Sequence, residues 1–299
     1  MPSIIKRIKS IFKSDSKNST RKTTAATPAT SSKSAAKSAT PSAPAATEAK
    51  VSAANVSGTA QTSSAPSHPE NTHVSHTFAA LVKSDAQLAA LADHHYTKTA
   101  SIERVYAVKT ALEANGFKVH LVNSRGEAFE TLKGLIPVGA SVNNAHSTTL
   151  EEIGFITYLK GETEWNNVHA QILAEKDYVK QGELRRTIGS TVDYYLTSMS
   201  AITEDGLLAH ADLSGSKVGG VAFGAGNVIV VAGTNKIVKD EDEAWKRTNE
   251  FALAAESARA RDAYGVPASA IVNYEVIRKA NPFNPNRIQV VLVNDALGF

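Results

Sequence analysis

The predicted fold depends most on residues 191–239, TVDYYLTSMSAITEDGLLAHADLSGSKVGGVAFGAGNVIVVAGTNKIVK. This stretch contains three short apolar runs, VDYYLT, VGGVAF and VIVVAG, and each run leads into a polar turn segment. Apolar runs of about four to six residues between turn signals are typical of strands buried on both faces. Such strands occur in α/β proteins, with helices on both sides of the sheet. We therefore predict that all three runs are buried strands.

The polar segments that follow these runs are candidates for a ligand-binding rim. In open α/β sheets, ligands bind in the crevice at the carboxyl ends of the strands. We expect SAITEDG, which follows the first run, and TNK, which follows the third, to lie near one another at that rim.

The rest of the folded part, residues 77–299, alternates helical and extended patterns. This alternation is typical of βαβ units and predicts an α/β fold with a Rossmann-like, mostly parallel sheet flanked by helices. The predicted elements are helix Ser101–Asn115, strand Phe117–Asn123, a short helix over GEAFETLKGLI, strand Val138–Asn143, a long helical segment over 163–187, helix Asp240–Tyr264 and strand Ile288–Asn294.

Residues 1–76 differ from the rest in composition. Residues 1–70 carry 10 Lys and Arg against 3 Asp and Glu, whereas the remainder carries 22 against 26. The Ser-, Ala- and Thr-rich segment cannot bury enough apolar surface to offset its ordering entropy, so we predict a disordered tail over 1–76. Residues 3–13 have the spacing of a basic amphipathic helix, which leaves three interpretations open: a mitochondrial presequence, a weak membrane contact through 1–13, and a solvated tail without specific function.

The composition also limits the chemistry. The chain has no cysteine, which excludes disulfides, thiol catalysis, iron–sulfur clusters and thiolate zinc sites within it. We predict no cofactor and no metal. Because the folded part is slightly acidic, we expect no nucleic-acid partner. No apolar run reaches the roughly 18 residues that a membrane helix needs, and we predict an intracellular protein, cytoplasmic or mitochondrial.

The segment NAHSTTLEEIGF follows the predicted strand Val138–Asn143 and opens a helix. Ser147, Thr148 or Thr149 would cap this helix, and a following Glu151 or Glu152 would complete a capping box. Two interpretations remain open: these residues only cap the helix, or its free N–H groups and hydroxyls hold an anion.

Six segments carry a resemblance to a known family: ALEANGFKVHLV, HSTTLEEIGF, DYYLTSMSAITEDGLLAHAD, GSKVGG, NVIVVAGTNKIVKDEDEAWKR and VVLVNDALGF. In this order and spacing they resemble the LUD family, lactate-utilisation proteins of the LutC/YkgG type, over roughly residues 77–299. The resemblance implies the NagB/RpiA/CoA-transferase-like fold. It also implies an accessory or anion-binding role in the use of lactate or another hydroxy acid, beside partner subunits that carry iron–sulfur clusters.

The resemblance and the expected rim together place a candidate site for a small anionic metabolite. The site would hold the anion between the helix start, the TNK segment and a polar wall. Its residues are Ser147, Thr148, Thr149, Glu152, Thr203, Asp205, Thr234, Asn235 and Lys236.

The sequence leaves the reaction open, and no catalytic residue is assigned. Sugar-phosphate isomerases of the wider superfamily have an acidic residue before the turn that ITEDG resembles, where this chain has Ser198-Met199-Ser200. Without that carboxylate the general base of an isomerase is missing. The alternatives to the LUD role are a CoA- or sugar-phosphate-type transferase or hydrolase of the same fold, and a non-catalytic binding module. A redox partner subunit or a homo-oligomer is expected.

Overall fold

The computed structural model describes residues 76–299. The predicted tail, apart from its last residue, and the predicted amphipathic helix over 3–13 lie outside the described residues. Among residues 76–299, every helix is too short or too polar to span a bilayer.

Ten strands in this part of the chain form two sheets. In chain order they are β1 (Lys118–Val122), β2 (Ser141–Asn144), β3 (Asn166–Asn167), β4 (Tyr194–Thr197), β5 (Ala201–Thr203), β6 (Leu208–Asp212), β7 (Asn227–Gly233), β8 (Ile237–Val238), β9 (Asn273–Ile277) and β10 (Ile288–Val293).

The larger sheet has six strands in the order β1-β10-β7-β4-β2-β3, and every neighbouring pair is parallel. This confirms the predicted mostly parallel sheet. Successive side chains of a strand point to opposite faces of the sheet. The run of β7 is apolar throughout because both of its faces are buried. Val228 and Val230 pack into the core on one face, while Ile229 and Val231 pack into the core on the other.

Helices cover both faces of this sheet. They are Phe78–Ser84, Ala86–Ala89, Ile102–Ala114, Arg125–Leu135, Thr148–Glu152, Phe155–Lys160, Val168–Ala174, Tyr178–Arg186, Ser216–Gly219, Glu241–Lys246 and Leu253–Tyr264. The last two are joined by a π-helical segment, Arg247–Ala252, so residues 241–264 form one long helix, as predicted. The helix predicted over Ser101–Asn115 is also confirmed, and Ser101 caps it by accepting a hydrogen bond from the Arg104 N–H.

The smaller sheet, in the order β8-β5-β6-β9, was not predicted. β5 and β6 form an antiparallel hairpin, and β5 pairs in parallel with β8. The hairpin turn requires glycine at Gly206, which has φ of +81° and packs so close to the helix Ile102–Ala114 that a Cβ would lie 2.7 Å from its main chain. Strands of two or three residues carry too little periodicity to be recognised in a sequence.

Two sequence predictions within residues 191–239 are wrong. VGGVAF is not a strand, because Ser216–Gly219 is helical and Gly220–Gly224 continues as a π-helical turn. Tertiary packing constrains this turn, because Gly220 lies against the Tyr195 ring, where a Cβ would be 2.8 Å from ring carbons. SAIT, predicted as part of a turn, contains β5 of the smaller sheet. VDYYLT and VIVVAG are the confirmed strands β4 and β7.

The long helical segment predicted over 163–187 is also corrected. It contains the short strand β3 and two separate helices, Val168–Ala174 and Tyr178–Arg186. Asp177 interrupts it, because its carboxylate accepts hydrogen bonds from the Val179 and Lys180 N–H groups and starts a new helix.

Candidate site at the carboxyl ends of the strands

The carboxyl ends of β2, β4 and β7 converge on the side chain of Lys236, which lies in the turn directly after β7. The Lys236 amine donates to Ser198 Oγ (2.9 Å), next after β4, and to Thr149 Oγ1 (3.0 Å), in the helix that follows β2. A third hydrogen bond goes to the main-chain oxygen of Phe299 (2.9 Å). Three elements distant in sequence are therefore joined by one side chain.

Lys236 is buried, with 1% of its surface exposed. Burial lowers the pKa of its amine well below the usual range, Arg247 lowers it further by repulsion, and Glu152 opposes the shift. Its three hydrogen-bond acceptors are two hydroxyls and a main-chain oxygen, and none is a side-chain carboxylate. A buried ammonium without such a partner is costly, so an anion placed beside the amine would favour its protonated form.

Arg247, in the π-helical segment, is a second buried cation on this side of the molecule. Its guanidinium donates to the main-chain oxygens of Ser200 and Tyr96 and lies over the rings of Tyr96 and Phe251, at 5.5 and 5.2 Å from their centroids. Burial lowers its pKa to about 9, which is still above neutral pH. It therefore remains charged and contributes positive potential near Lys236.

The segment that follows β10 covers the Lys236 group. Leu297 is fully buried and its N–H donates to Asn235 Oδ1 (3.0 Å). The Gly298 N–H donates to Glu152 Oε2 (2.9 Å), and the Phe299 oxygen accepts from the Lys236 amine. Residues 297–299 thus occupy the space that the sequence assigned to a small anion.

The predicted site residues divide into two groups in the structure. Four of them hydrogen-bond with one another or with residues 297–299, namely Thr149, Glu152, Asn235 and Lys236, and their chain neighbours Ser147, Thr148 and Thr234 are buried. The other two lie at the far end of β5, where Thr203 Oγ1 donates to Asp205 Oδ1 (2.5 Å) and accepts from the Leu207 N–H. Asn115 binds the same turn through the Asp205 oxygen. Thr203 and Asp205 therefore shape the β5–β6 turn, where their side-chain hydrogen bonds are made.

The helix start at Ser147 matches the capping interpretation. Ser147 Oγ accepts from the Leu150 N–H, and the helix Thr148–Glu152 is only five residues long. The predicted capping box is wrong, because both carboxylates bind main-chain N–H groups outside this helix. Glu151 accepts a hydrogen bond from the main-chain N–H of His76. Glu152 accepts hydrogen bonds from the main-chain N–H groups of Phe78 and Gly298.

Sequence reasoning missed a second group of side chains beside this helix. Ligand atoms of His76, His146 and Glu151 all lie within 4.8 Å of one another. His146 stands between the end of β2 and the helix Thr148–Glu152, and its ring meets the His76 ring edge-on with centroids 6.2 Å apart. The sequence gives little indication of this group, because His76 and His146 are far apart in the chain.

His146 and His169, both near the start of this helix, have lowered pKa values. The His146 side chain is exposed, yet burial among surrounding protein atoms lowers the pKa of its imidazole well below the usual range, and Arg259 lowers it further. His169, half-buried nearby, has a pKa lowered by burial, and then by Arg185, to about 4. Both imidazoles are therefore neutral at pH 7.

These features define a class of protein: an α/β domain whose parallel strands end at a polar group, built around a buried lysine. A family model for the LUD domain matches residues 105–293, more than half of the chain. The chain belongs to the LUD domain family. This agrees with the resemblance noted in the sequence, and the matched residues lie within the predicted domain 77–299.

Among solved structures, the chain is similar to a DUF162 family protein from Deinococcus radiodurans, whose crystal structure was determined at 1.70 Å resolution. The two are 12% identical, the match covers 64% of this chain and 97% of the other, and the TM-score is 0.38. Comparison with curated proteins gives no match.

Proposed function

We propose that this LUD domain binds a small carboxylate metabolite, such as lactate or a related hydroxy acid, at Lys236, and acts as an accessory component of hydroxy-acid utilisation. One observation carries the proposal: the Lys236 amine is buried at the carboxyl ends of β4 and β7 and bonds no side-chain carboxylate. A ligand carboxylate would supply the missing negative charge.

The arrangement around Lys236 already accommodates acceptor oxygens. Thr149 and Ser198 hold the amine from two sides, and the Phe299 main-chain oxygen takes the third position. A carboxylate oxygen of similar size would bind in that third position once residues 297–299 withdraw. Binding would therefore compete with the closing segment, and it would raise the lowered pKa of Lys236 by placing an anion beside it.

The test is calorimetric titration of the full chain with lactate, pyruvate, CoA thioesters and sugar phosphates. We expect lactate or pyruvate to bind, and Lys236→Met to reduce the affinity at least tenfold. Lys98→Met is the matched control, because Lys98 is largely exposed. Phe299→Ala, which removes the ring that anchors the closing segment against the core, should strengthen binding.

Each other outcome points to a different function. Binding of CoA thioesters or sugar phosphates that depends on Lys236 would favour a transferase or hydrolase of the same fold. Equal carboxylate affinity in wild type and Lys236→Met would overturn the proposal. No binding by any of these ligands would leave the non-catalytic module as the better description, with Lys236 fixing the 297–299 segment.

The proposal includes a partner, because the chain has no cysteine for an iron–sulfur cluster. Oxidation of a hydroxy acid would then need a redox partner subunit. Light scattering of the purified chain, whose mass is 31.7 kDa, would distinguish a monomer from a homo-oligomer. For the location, cytoplasmic or mitochondrial, a fluorescent reporter fused to residues 1–40 is decisive; a diffuse cytosolic signal would contradict a presequence.

A further inference from the structure

We infer that His76, His146 and Glu151 form a binding site for one divalent transition-metal ion of the Zn²⁺ type. This goes beyond the carboxylate proposal and does not depend on it, because it involves different side chains. No metal was predicted from the sequence, since the absent cysteines excluded only thiolate ligands and no local pattern brings His76 and His146 together.

The ligand set fits the chemistry of such ions. Two imidazoles and one carboxylate are the donors of catalytic zinc sites and of other open sites for borderline divalent ions. Three protein ligands leave at least one coordination position for water or a substrate. The absence of cysteine does not exclude a site of this kind.

The ligand atoms of His76, His146 and Glu151 are already nearly close enough to bind one ion. Two ligand atoms bound at about 2.1 Å to one ion are at most ~4.2 Å apart, and the three candidate atoms already lie within 4.8 Å of one another. His146 and Glu151 are held close together across the start of one short helix. His76 is held beside them by its main-chain N–H, which donates a hydrogen bond to Glu151 Oε1 (3.2 Å). Ion binding would therefore require the donors to approach one another by only a few tenths of an ångström, about 0.6 Å at the longest separation.

An outer carboxylate orients one of the ligands. His76 Nε2 lies 3.0 Å from Asp262 Oδ2, on the long helix that ends at Tyr264. Histidines that bind metals commonly donate their other ring N–H to a carboxylate, which fixes the tautomer and the ring orientation. With Nε2 engaged by Asp262, Nδ1 is the nitrogen of His76 that would bind the ion.

The local charge also suits a dication. Glu151 and Asp262 place two carboxylates at the group. Arg259 is the strongest cationic influence on His146, followed by His76, His169 and Lys160, and its guanidinium is held by Glu256 through bonds of 2.8 and 2.5 Å. The Glu256 carboxylate therefore offsets part of the repulsion that Arg259 would exert on a bound ion.

The test is titration of the metal-free full chain with Zn²⁺ and, separately, with Co²⁺, followed by calorimetry and by the visible absorption of bound cobalt. We expect one ion per chain, and a loss of roughly 100-fold in affinity in His146→Gln and in Glu151→Gln. Asp262→Asn, which removes the orienting group and no ligand, should cost about 10- to 100-fold and change the cobalt spectrum.

Two controls keep the test specific. His120 is a half-buried histidine on β1, and its ring is hydrogen-bonded to the side chain of Gln289. Three strands separate β1 from β2, the strand that precedes His146. The His120→Gln variant should therefore bind the ion as the wild type does. A double variant, His68→Gln with His73→Gln, tests the part of the chain that the structure does not describe. Circular dichroism of each variant without metal confirms its fold.

No ion binding by wild type, or unchanged binding by His146→Gln and Glu151→Gln, would overturn the inference. Binding that is lost only in the His68 and His73 variant would overturn it as well. Because lactate binding is measured separately with Lys236→Met, failure of the metal site leaves the carboxylate proposal to stand or fall by its own experiment.

Discussion

The Lys236 group and the His76–His146–Glu151 group lie on two sides of one short helix but differ in their surroundings. Thr149 in this helix binds Lys236, whereas Glu151 in the same helix joins the histidines. The Lys236 group is buried and closed by residues 297–299, while His146 is exposed and Asp262 is 40% exposed in its side chain. The two groups therefore differ in access: an ion can reach the histidine group directly, whereas a ligand reaches Lys236 only if residues 297–299 withdraw.

If the closing segment is part of the core, Leu297→Ala will have the largest effect on stability. Leu297 is fully buried in one core cluster, and truncating a buried leucine leaves a cavity. We expect the free energy of unfolding to fall by about 2–5 kcal/mol, measured by urea denaturation. A loss below about 0.5 kcal/mol would show that the segment is loosely held and that the Lys236 group is not closed by the chain.

Gly298→Ala tests the same closure at the backbone. Gly298 has φ of +55°, and a Cβ there would lie 2.5 Å from Thr149 Oγ1 and 2.9 Å from the Thr149 nitrogen. The variant must shift the segment away from the Lys236 group, and overpacking of this kind costs about 1–3 kcal/mol. Gly134→Ala is the matched control, because a Cβ at Gly134 would have no neighbouring atom within 4 Å. A larger loss of stability in Gly134→Ala than in Gly298→Ala would contradict the close contact as the cause.

The pH dependence of stability tests the burial of Lys236. Since burial lowers its folded-state pKa below the ordinary value of 10.5, the unfolded chain binds more protons between the two values. Stability relative to Lys236→Met should therefore rise with pH in that window, by at most about 1.4 kcal/mol per pH unit. Paired urea denaturations of both proteins at neutral pH and near pH 9.5 measure the difference. A difference that stays constant would mean that the amine keeps its ordinary pKa.

His146→Gln should have the smallest effect on stability, which is what separates the two groups. The side chain is exposed, so we expect a change within about 0.5 kcal/mol in the absence of metal. Thermal unfolding without added ions measures it. A loss comparable to that of Leu297→Ala would place His146 in the structural core and would weaken the inferred metal site.

The sequence predicted the parallel sheet because its central strands are long enough to show their pattern. β7 and β10 have seven and six residues, nearly all buried, and a continuous apolar run of that length between turn signals identifies a doubly covered strand. The smaller sheet was missed because β5 and β8 have only three and two residues. The pairing of β5 with β8 depends on long-range contacts, which a local sequence pattern does not show.

Part of the candidate site was predicted from the positions of its residues relative to the strands. Segments that directly follow strands of one parallel sheet lie at one edge, so Ser147, Thr149 and Lys236 could be grouped from the sequence. Thr203 and Asp205 make their hydrogen bonds in the β5–β6 turn, and that hairpin belongs to the smaller sheet, which the sequence did not predict. Asp262 could not be connected with His76, because they are distant in sequence and meet only through helix packing.

By itself, the sequence determined the α/β class, the parallel core strands and the family, because these depend on local apolar patterns and on segments in a fixed order. Only the tertiary structure decided which polar residues share an environment. Residues 297–299 fold back onto Lys236, and His76 packs against Glu151 and Asp262. Such contacts depend on long-range packing that no local pattern records, so one polar group is closed by the chain while the other remains open to solvent.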